Sequence, residues 1–128
     1  MFSFDKILLD APCSGSGTIR NIDGAYSGAF SQKLLDNSIC LQTAMLTKAL
    51  TLLKKGGTMV YSTCSVLPDE NGEVIKKVLP KFNAEIVNID ADKLGGVPTL
   101  NSCVEGTLTV CPDKLYEGFF VAVITKKG

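Results

Sequence analysis

Lys6-Ile7-Leu8-Leu9-Asp10-Ala11-Pro12-Cys13 is a short apolar run that stops at a proline. Four residues of that kind, ending in Asp-Ala-Pro, predict a fully buried strand, because proline cannot donate to a sheet ladder. The next stretch has no period. Cys13 to Gly28 is rich in Gly, Ser, Asn and Asp and predicts a long loop, and long loops in compact domains tend to carry function.

Beyond the loop the pattern becomes helical. Leu34, Leu35, Ile39, Leu41, Met45, Leu46, Ala49, Leu50 and Leu53 recur mostly at spacings of three and four, which predicts a helix over 31–55. Lys54 and Lys55 suit the negative end of its dipole, and Gly56-Gly57 the stop. Thr58 to Thr63 is rich in β-formers and predicts a second strand. A second helix is expected after Pro68, with Asp69 as cap, Glu70 and Glu73 in its first turn, and Val74, Ile75, Val78 and Leu79 as its buried stripe, ended by Pro80. Ala84 to Ile89 alternates as a third strand, Asp90 to Gly106 reads as loop, Thr107 to Val110 as a short strand, and Gly118 to Ile124 as the last. Strands alternating with helices predict an α/β fold with a largely parallel sheet.

Composition narrows the chemistry. The 128 residues are 45% hydrophobic and 20% charged, which suits one packed domain, 1–128, rather than a disordered chain. The absence of histidine excludes a Ser-His-Asp or Cys-His arrangement within the chain, and histidine metal ligands with it. Five cysteines, none spaced CxxC, predict neither a disulfide framework nor a zinc site, and no metal is expected. Core packing is the default for each; Cys40, on the first helix, is assigned to the core, and Cys103 and Cys111 are assigned nothing. Gly15-Ser16-Gly17 starts neither a dinucleotide loop nor a Walker motif, and no GxSxG elbow occurs. No apolar run is long enough to span a membrane, no signal peptide is visible, and a cytoplasmic location is expected. With a net charge of zero and only scattered Lys-Lys pairs, most contacts to a nucleic-acid phosphate backbone would have to come from outside the chain.

Two cysteines stand apart by position. Cys13 follows the carboxyl end of the first strand, and Cys64 that of the second. If a right-handed crossover makes these strands neighbours, Asp10, Cys13 and Cys64 converge where open α/β sheets bind ligands. Asp10-Ala11-Pro12-Cys13-Ser14-Gly15-Ser16-Gly17 and Tyr61-Ser62-Thr63-Cys64-Ser65 resemble the two cysteine motifs of the NOL1/NOP2/Sun family of RNA (cytosine-5) methyltransferases. Arg20, Gln42, Gly57, Glu70-Asn71 and Gly118-Phe119-Phe120-Val121-Ala122 are similar to that family at the matching places, and the resemblance runs from Phe4 to Lys126.

The resemblance implies a role for each motif residue. Cys64 is the nucleophile that adds to carbon 6 of cytosine, making carbon 5 able to attack the methyl of S-adenosylmethionine. Cys13 assists release of the product. Asp10 holds or protonates ring nitrogen 3 and, with Pro12, borders the cofactor. Ala11 and Pro12 shape the turn and line the base pocket. Arg20 either contacts RNA phosphate or pairs with a carboxylate. The implied fold is a partial Rossmann-like class I methyltransferase sheet, equivalent to strands 4–7 of the order 3-2-1-4-5-7-6, with its last strand antiparallel.

In the family, the glycine-rich loop and strands that bind S-adenosylmethionine precede the Asp-Ala-Pro-Cys motif, and an RNA-binding extension accompanies them. The expected partners are therefore an RNA, ribosomal or transfer, and the amino-terminal half of the fold, in cis or in trans. Asn21 to Phe30 departs from the aromatic and basic stretch usual there. Without the first half, the edge of the first strand is expected to be apolar and unpaired, an aggregation hazard. The alternative is a non-catalytic remnant or interaction module. A DNA substrate is disfavoured, because DNA cytosine methyltransferases lack the second cysteine motif.

Overall fold

The computed structural model describes residues 3–13, 21–22, 25–26, 32–90, 98–100, 102, 104–111 and 118–127. Strand β1 (Phe4–Asp10) leads to a two-stranded ribbon, β2 (Asn21–Ile22) with β3 (Ala25–Tyr26), inside the stretch expected to be loop. Helix α1 (Gln32–Leu52) runs directly into β4 (Leu53–Thr63). A 3-10 turn at Pro68–Glu70 precedes α2 (Gly72–Val78), and a second, Leu79–Phe82, follows it. Then come β5 (Ala84–Val87), β6 (Thr99–Leu100), β7 (Leu108–Val110) and β8 (Phe119–Lys126).

Strands β1, β4, β8, β7 and β6 are neighbours in that order, and β5 also pairs with β8. Among the described residues only β1 and β4 form a parallel pair; β8 is antiparallel to β4, β5 and β7. The expectation of a largely parallel sheet is therefore corrected. Strands β1, β4 and β5 do point the same way, as two helical crossovers require. The last strand, however, enters between β4 and β5 and makes both of their pairings antiparallel. The order β1-β4-β8-β5, with β8 antiparallel, is the order 4-5-7-6 that the resemblance implies.

The core lies on one face. Two rows cross the sheet there: Ile7, Met59, Ile124 and Ile86, then Leu9, Tyr61 and Ala122. Leu46, Leu50 and Ala49 of α1 and Val74, Ile75 and Val78 of α2 pack on them in one cluster. Each fully buried aliphatic side chain contributes about 1.5–3 kcal/mol by leaving water. The opposite face carries Leu8, Val60, Val123 and Val87 in register, and Leu8 is 75% exposed. Strand β1 is thus buried on one face, not on two, and its second edge pairs with no strand among the described residues. Leu41 and Met45 also point outward, although they fit the helical spacing.

The passage from α1 to β4 corrects a second expectation. The helix stops at Leu52, so Lys54 and Lys55 lie beyond it, and its last turn holds no basic residue. Lys126 of β8 supplies the cation instead, donating to the Leu50 carbonyl (2.8 Å) and the Leu53 carbonyl (3.1 Å). Gly56 has φ +79°, and a Cβ on Gly57 would lie 2.9 Å from the Asp5 carbonyl oxygen, so both positions need glycine. Around them the pairing jumps from Phe4–Leu53 to Lys6–Thr58.

Candidate active site

Strand β1 ends at Asp10 and the parallel β4 at Thr63, with Asp10 paired to Ser62. Parallel neighbours finish at the same edge of a sheet, so each strand's next residues emerge side by side. The Ala11 amide donates to the Ser62 carbonyl (2.8 Å), extending the ladder one step beyond β1. Cys13 and Cys64, half-buried, then face each other with their Sγ atoms 3.0 Å apart, one thiol donating to the other.

Asp10 is exposed beside them and accepts a hydrogen bond from the Ser62 hydroxyl (3.3 Å). Pro12 is exposed too, whereas Ala11 is packed in the core. Arg20 and residues 14–17 lie outside the described residues, as do Cys103 and 91–97 of the expected loop. Cys40 is exposed on α1, so its assignment to the core is corrected: its position falls on the helix's outer side.

Behind the thiols lies a buried polar network that the spacing did not disclose. Glu70 and Gln42 are both fully buried. Gln42 Nε2 donates to the Pro12 carbonyl (2.7 Å) and toward Glu70 Oε1 (3.4 Å). The Ser65 hydroxyl donates to Glu70 Oε2 and accepts from the Leu67 amide (3.1 Å). Asn71 Nδ2 donates to the Ser65 carbonyl (2.9 Å), and the Thr63 hydroxyl donates to Asn71 Oδ1 (2.6 Å). The Tyr61 hydroxyl donates to the Glu70 backbone carbonyl (3.0 Å). Burial first, then the nearby charges of Glu70 and Cys13, push the Tyr61 phenol well above its ordinary range.

Glu70 and Asp69 were expected at a helix start. Asp69 makes no capping bond, and α2 begins after Asn71 because Glu70 is drawn inward to Ser65. Helix α2 stops at Val78, just before Pro80, as expected; Pro80 sits early in the 3-10 turn that follows, and Asn83 after it has φ 38°. One signal for the network was in the sequence: Ser38 and Gln42 occupy the buried stripe of α1, where apolar residues belong.

No group of three or more Cys, Asp or Glu side chains among the described residues is placed to hold a metal ion. No helix among them is long and apolar enough to cross a membrane.

The family model described as 16S rRNA methyltransferase RsmB/F matches residues 1–125. The chain belongs to this family. Among its RsmB/F relatives, ribosomal RNA small subunit methyltransferase F of Aeromonas salmonicida is 40% identical across 97% of the chain, and that of Pectobacterium atrosepticum 38% identical across 98%. The chain spans 26% of the length of each. Among solved structures, NSun6 from Pyrococcus horikoshii, solved with SFG, superimposes with a TM-score of 0.80 at 26% identity, covering 99% of the chain and 31% of its own. A methyltransferase homolog protein from Pyrococcus horikoshii gives 0.76 at 35% identity, covering 99% of the chain and 40% of its own. These neighbours agree with the class I methyltransferase sheet expected from the sequence.

Proposed function

We propose that the chain is the carboxyl-terminal catalytic part of an S-adenosylmethionine-dependent enzyme that methylates carbon 5 of cytosine in small-subunit ribosomal RNA. The observation that carries this reading is the 3.0 Å approach of Cys13 and Cys64 at the shared end of β1 and β4, beside exposed Asp10. The RsmB/F match supports the substrate class.

Cys64, as thiolate, adds to carbon 6 of the ring and so turns carbon 5 into a nucleophile. Asp10 hydrogen-bonds or protonates ring nitrogen 3 while negative charge develops there. Pro12 packs against the base. After carbon 5 has been methylated it must lose its proton, and the C6–S bond must break. The Cys13 thiol, in hydrogen-bond reach of the departing sulfur, stabilises that leaving group. Arg20 is assigned to RNA phosphate.

For the cofactor, the donor set fits one wall of a site: Asp10 offers a carboxylate to ammonium or hydroxyl groups, and Pro12 an apolar surface. S-adenosylmethionine, when bound, supplies the electrophilic methyl. SFG, its analogue in the NSun6 structure, supports that identity. The remaining wall belongs to the amino-terminal half of the fold, supplied in cis or in trans in the cytoplasm. Calorimetric titration of the 128-residue chain alone should show no micromolar binding of S-adenosylmethionine. Micromolar binding would mean that the cofactor site lies within the chain.

The deciding experiment uses the protein with its amino-terminal half present. Cys64→Ala should reduce methyl transfer to background and form no adduct. Cys13→Ala should form the adduct but resolve it slowly, trapping RNA in a complex that survives denaturing electrophoresis. A residue that acts after the covalent bond forms cannot prevent that bond. The reverse pattern swaps the two roles. No adduct with any variant, wild type included, while RNA still binds, favours a non-catalytic module.

A further inference from the structure

We propose that Cys13 and Cys64 are a peroxide-oxidisable dithiol that closes into an intramolecular disulfide, making the mouth of the β1/β4 pair a site of oxidative modification. Three observations carry the inference. The two Sγ atoms are 3.0 Å apart. A disulfide bond is about 2.0 Å long, so closure needs a movement of about 1 Å. Both thiols are half-buried, open to a molecule as small as hydrogen peroxide. The residues flanking both cysteines are tied to the same frame: the Ala11 amide to Ser62, the Pro12 carbonyl to Gln42, the Ser65 carbonyl to Asn71, and the Thr63 and Ser65 hydroxyls to Asn71 and Glu70. The second thiol therefore meets the first at high effective concentration.

The chemistry balances with a hydroperoxide as the only co-reactant. One thiolate attacks the peroxide, the O–O bond breaks, and its sulfur keeps one oxygen as a sulfenic acid while water or an alcohol leaves. The second sulfur attacks the sulfenic sulfur, the S–S bond forms, and the displaced hydroxide leaves as water with the second thiol's proton. Two thiols are oxidised and one peroxide is reduced. A dithiol reductant reverses the step by exchange. In a reducing compartment such a bond is transient, as redox-sensing disulfides are. The consequence for methyl transfer rests on the role proposed above for Cys64: once oxidised, it has no thiolate with which to attack.

The test is made on the 128-residue chain with equimolar hydrogen peroxide, followed by unfolding, alkylation and peptide mapping. The expected product is a peptide pair joined through Cys13 and Cys64, two hydrogens lighter than its reduced parts and restored by dithiothreitol. It should form at least about tenfold faster than any oxidation of Cys40, which is exposed on α1 and serves as the internal standard. In the chain unfolded in urea before peroxide is added, that preference should vanish, which attributes it to the fold. Cys13→Ser and Cys64→Ser should each leave the remaining thiol as a trappable sulfenic acid with no cross-link between the two sites. Oxidation of Cys40 ahead of the pair, or sulfinic acids at both sites with no cross-link, would overturn the proposal. A cross-link in a protein that never methylates RNA, even fully reduced and with its amino-terminal half present, would sink the catalytic reading alone.

Discussion

The two cysteines sit side by side yet are held very differently. Cys64 lies in a segment clamped on both sides: Thr63 and Ser65 together make hydrogen bonds to Asn71, Glu70 and the Leu67 amide, all within a few residues of sequence. Cys13, among the described residues, is held through its neighbours, by the Ala11 amide on Ser62 and the Pro12 carbonyl on Gln42. A buried, local network flanks the first arm, and bonds from distant parts of the chain reach the neighbours of the second. The difference matches the work proposed for each. A nucleophile must be aimed before the reaction starts. A group that assists departure has a partner to follow.

The largest structural effect should come from the centre of the rigid arm. Glu70→Ala removes the acceptor of the Ser65 hydroxyl and one partner of the Gln42 amide, and leaves a buried hole. The expected loss is about 3 kcal/mol, since each stranded buried group costs about 1–3 kcal/mol. Urea unfolding with an unchanged m-value measures it. Glu70→Gln, which keeps the shape and an acceptor, should lose less. A loss below about 1 kcal/mol for the alanine variant would show that the Cys64 arm does not depend on this carboxyl.

A smaller effect is expected at the base of the same arm. Tyr61→Phe deletes the bond to the Glu70 carbonyl but keeps the edge-on packing against Phe120, whose ring centroid is 6.2 Å away. The loss should be about 1 kcal/mol near neutrality. The sign of its pH dependence comes from burial. The folded phenol holds its proton to higher pH than the unfolded one, so this contribution is complete below about pH 10, the unfolded value, and is lost as pH rises toward the folded value. Stability of the wild type should thus fall more steeply above about pH 10 than that of Tyr61→Phe. Parallel curves would mean that the phenol is not titrating from a buried place.

How much of this could be read in advance depends on the range of the interaction. The β1–α1–β4 unit was legible because Leu9, Leu46, Leu50 and Met59 follow local periods, and the cysteine mouth because parallel strands end together. The direction of most pairings was not legible in the periods, since the insertion of β8 between β4 and β5 leaves no local mark on either strand; the family resemblance alone implied an antiparallel last strand there. Leu8 was misjudged for a related reason: an apolar run does not say whether the second face of a sheet will be covered. Glu70 looked like a helix-start acid because sequence proximity to α2 is visible and the pull of Ser65 is not. Gln42 broke the apolar stripe, but its tie to Pro12, 30 residues away, needed coordinates.

The smallest stability change, and the most selective one, should come from the looser arm. Gln42→Leu keeps the bulk of the side chain and removes both of its polar atoms. One of them, Nε2, leaves the Pro12 carbonyl and Glu70 Oε1 without that donor, which destabilises. The other, Oε1, is buried with no hydrogen-bond partner among the described residues, so losing it relieves a desolvation cost. The two terms have opposite sign and similar size, and the net change should lie within about 1 kcal/mol. The Pro12-Cys13 turn, however, loses its bond to Gln42 of α1. Peroxide cross-linking of Cys13 to Cys64 should then slow several-fold while the unfolding midpoint barely moves. A glutamine kept for stability would give the opposite result, a large drop in midpoint with cross-linking of the folded fraction unchanged. That outcome would erase the contrast between the two arms, because Gln42 would then serve the shared network through Glu70 rather than the placement of Cys13.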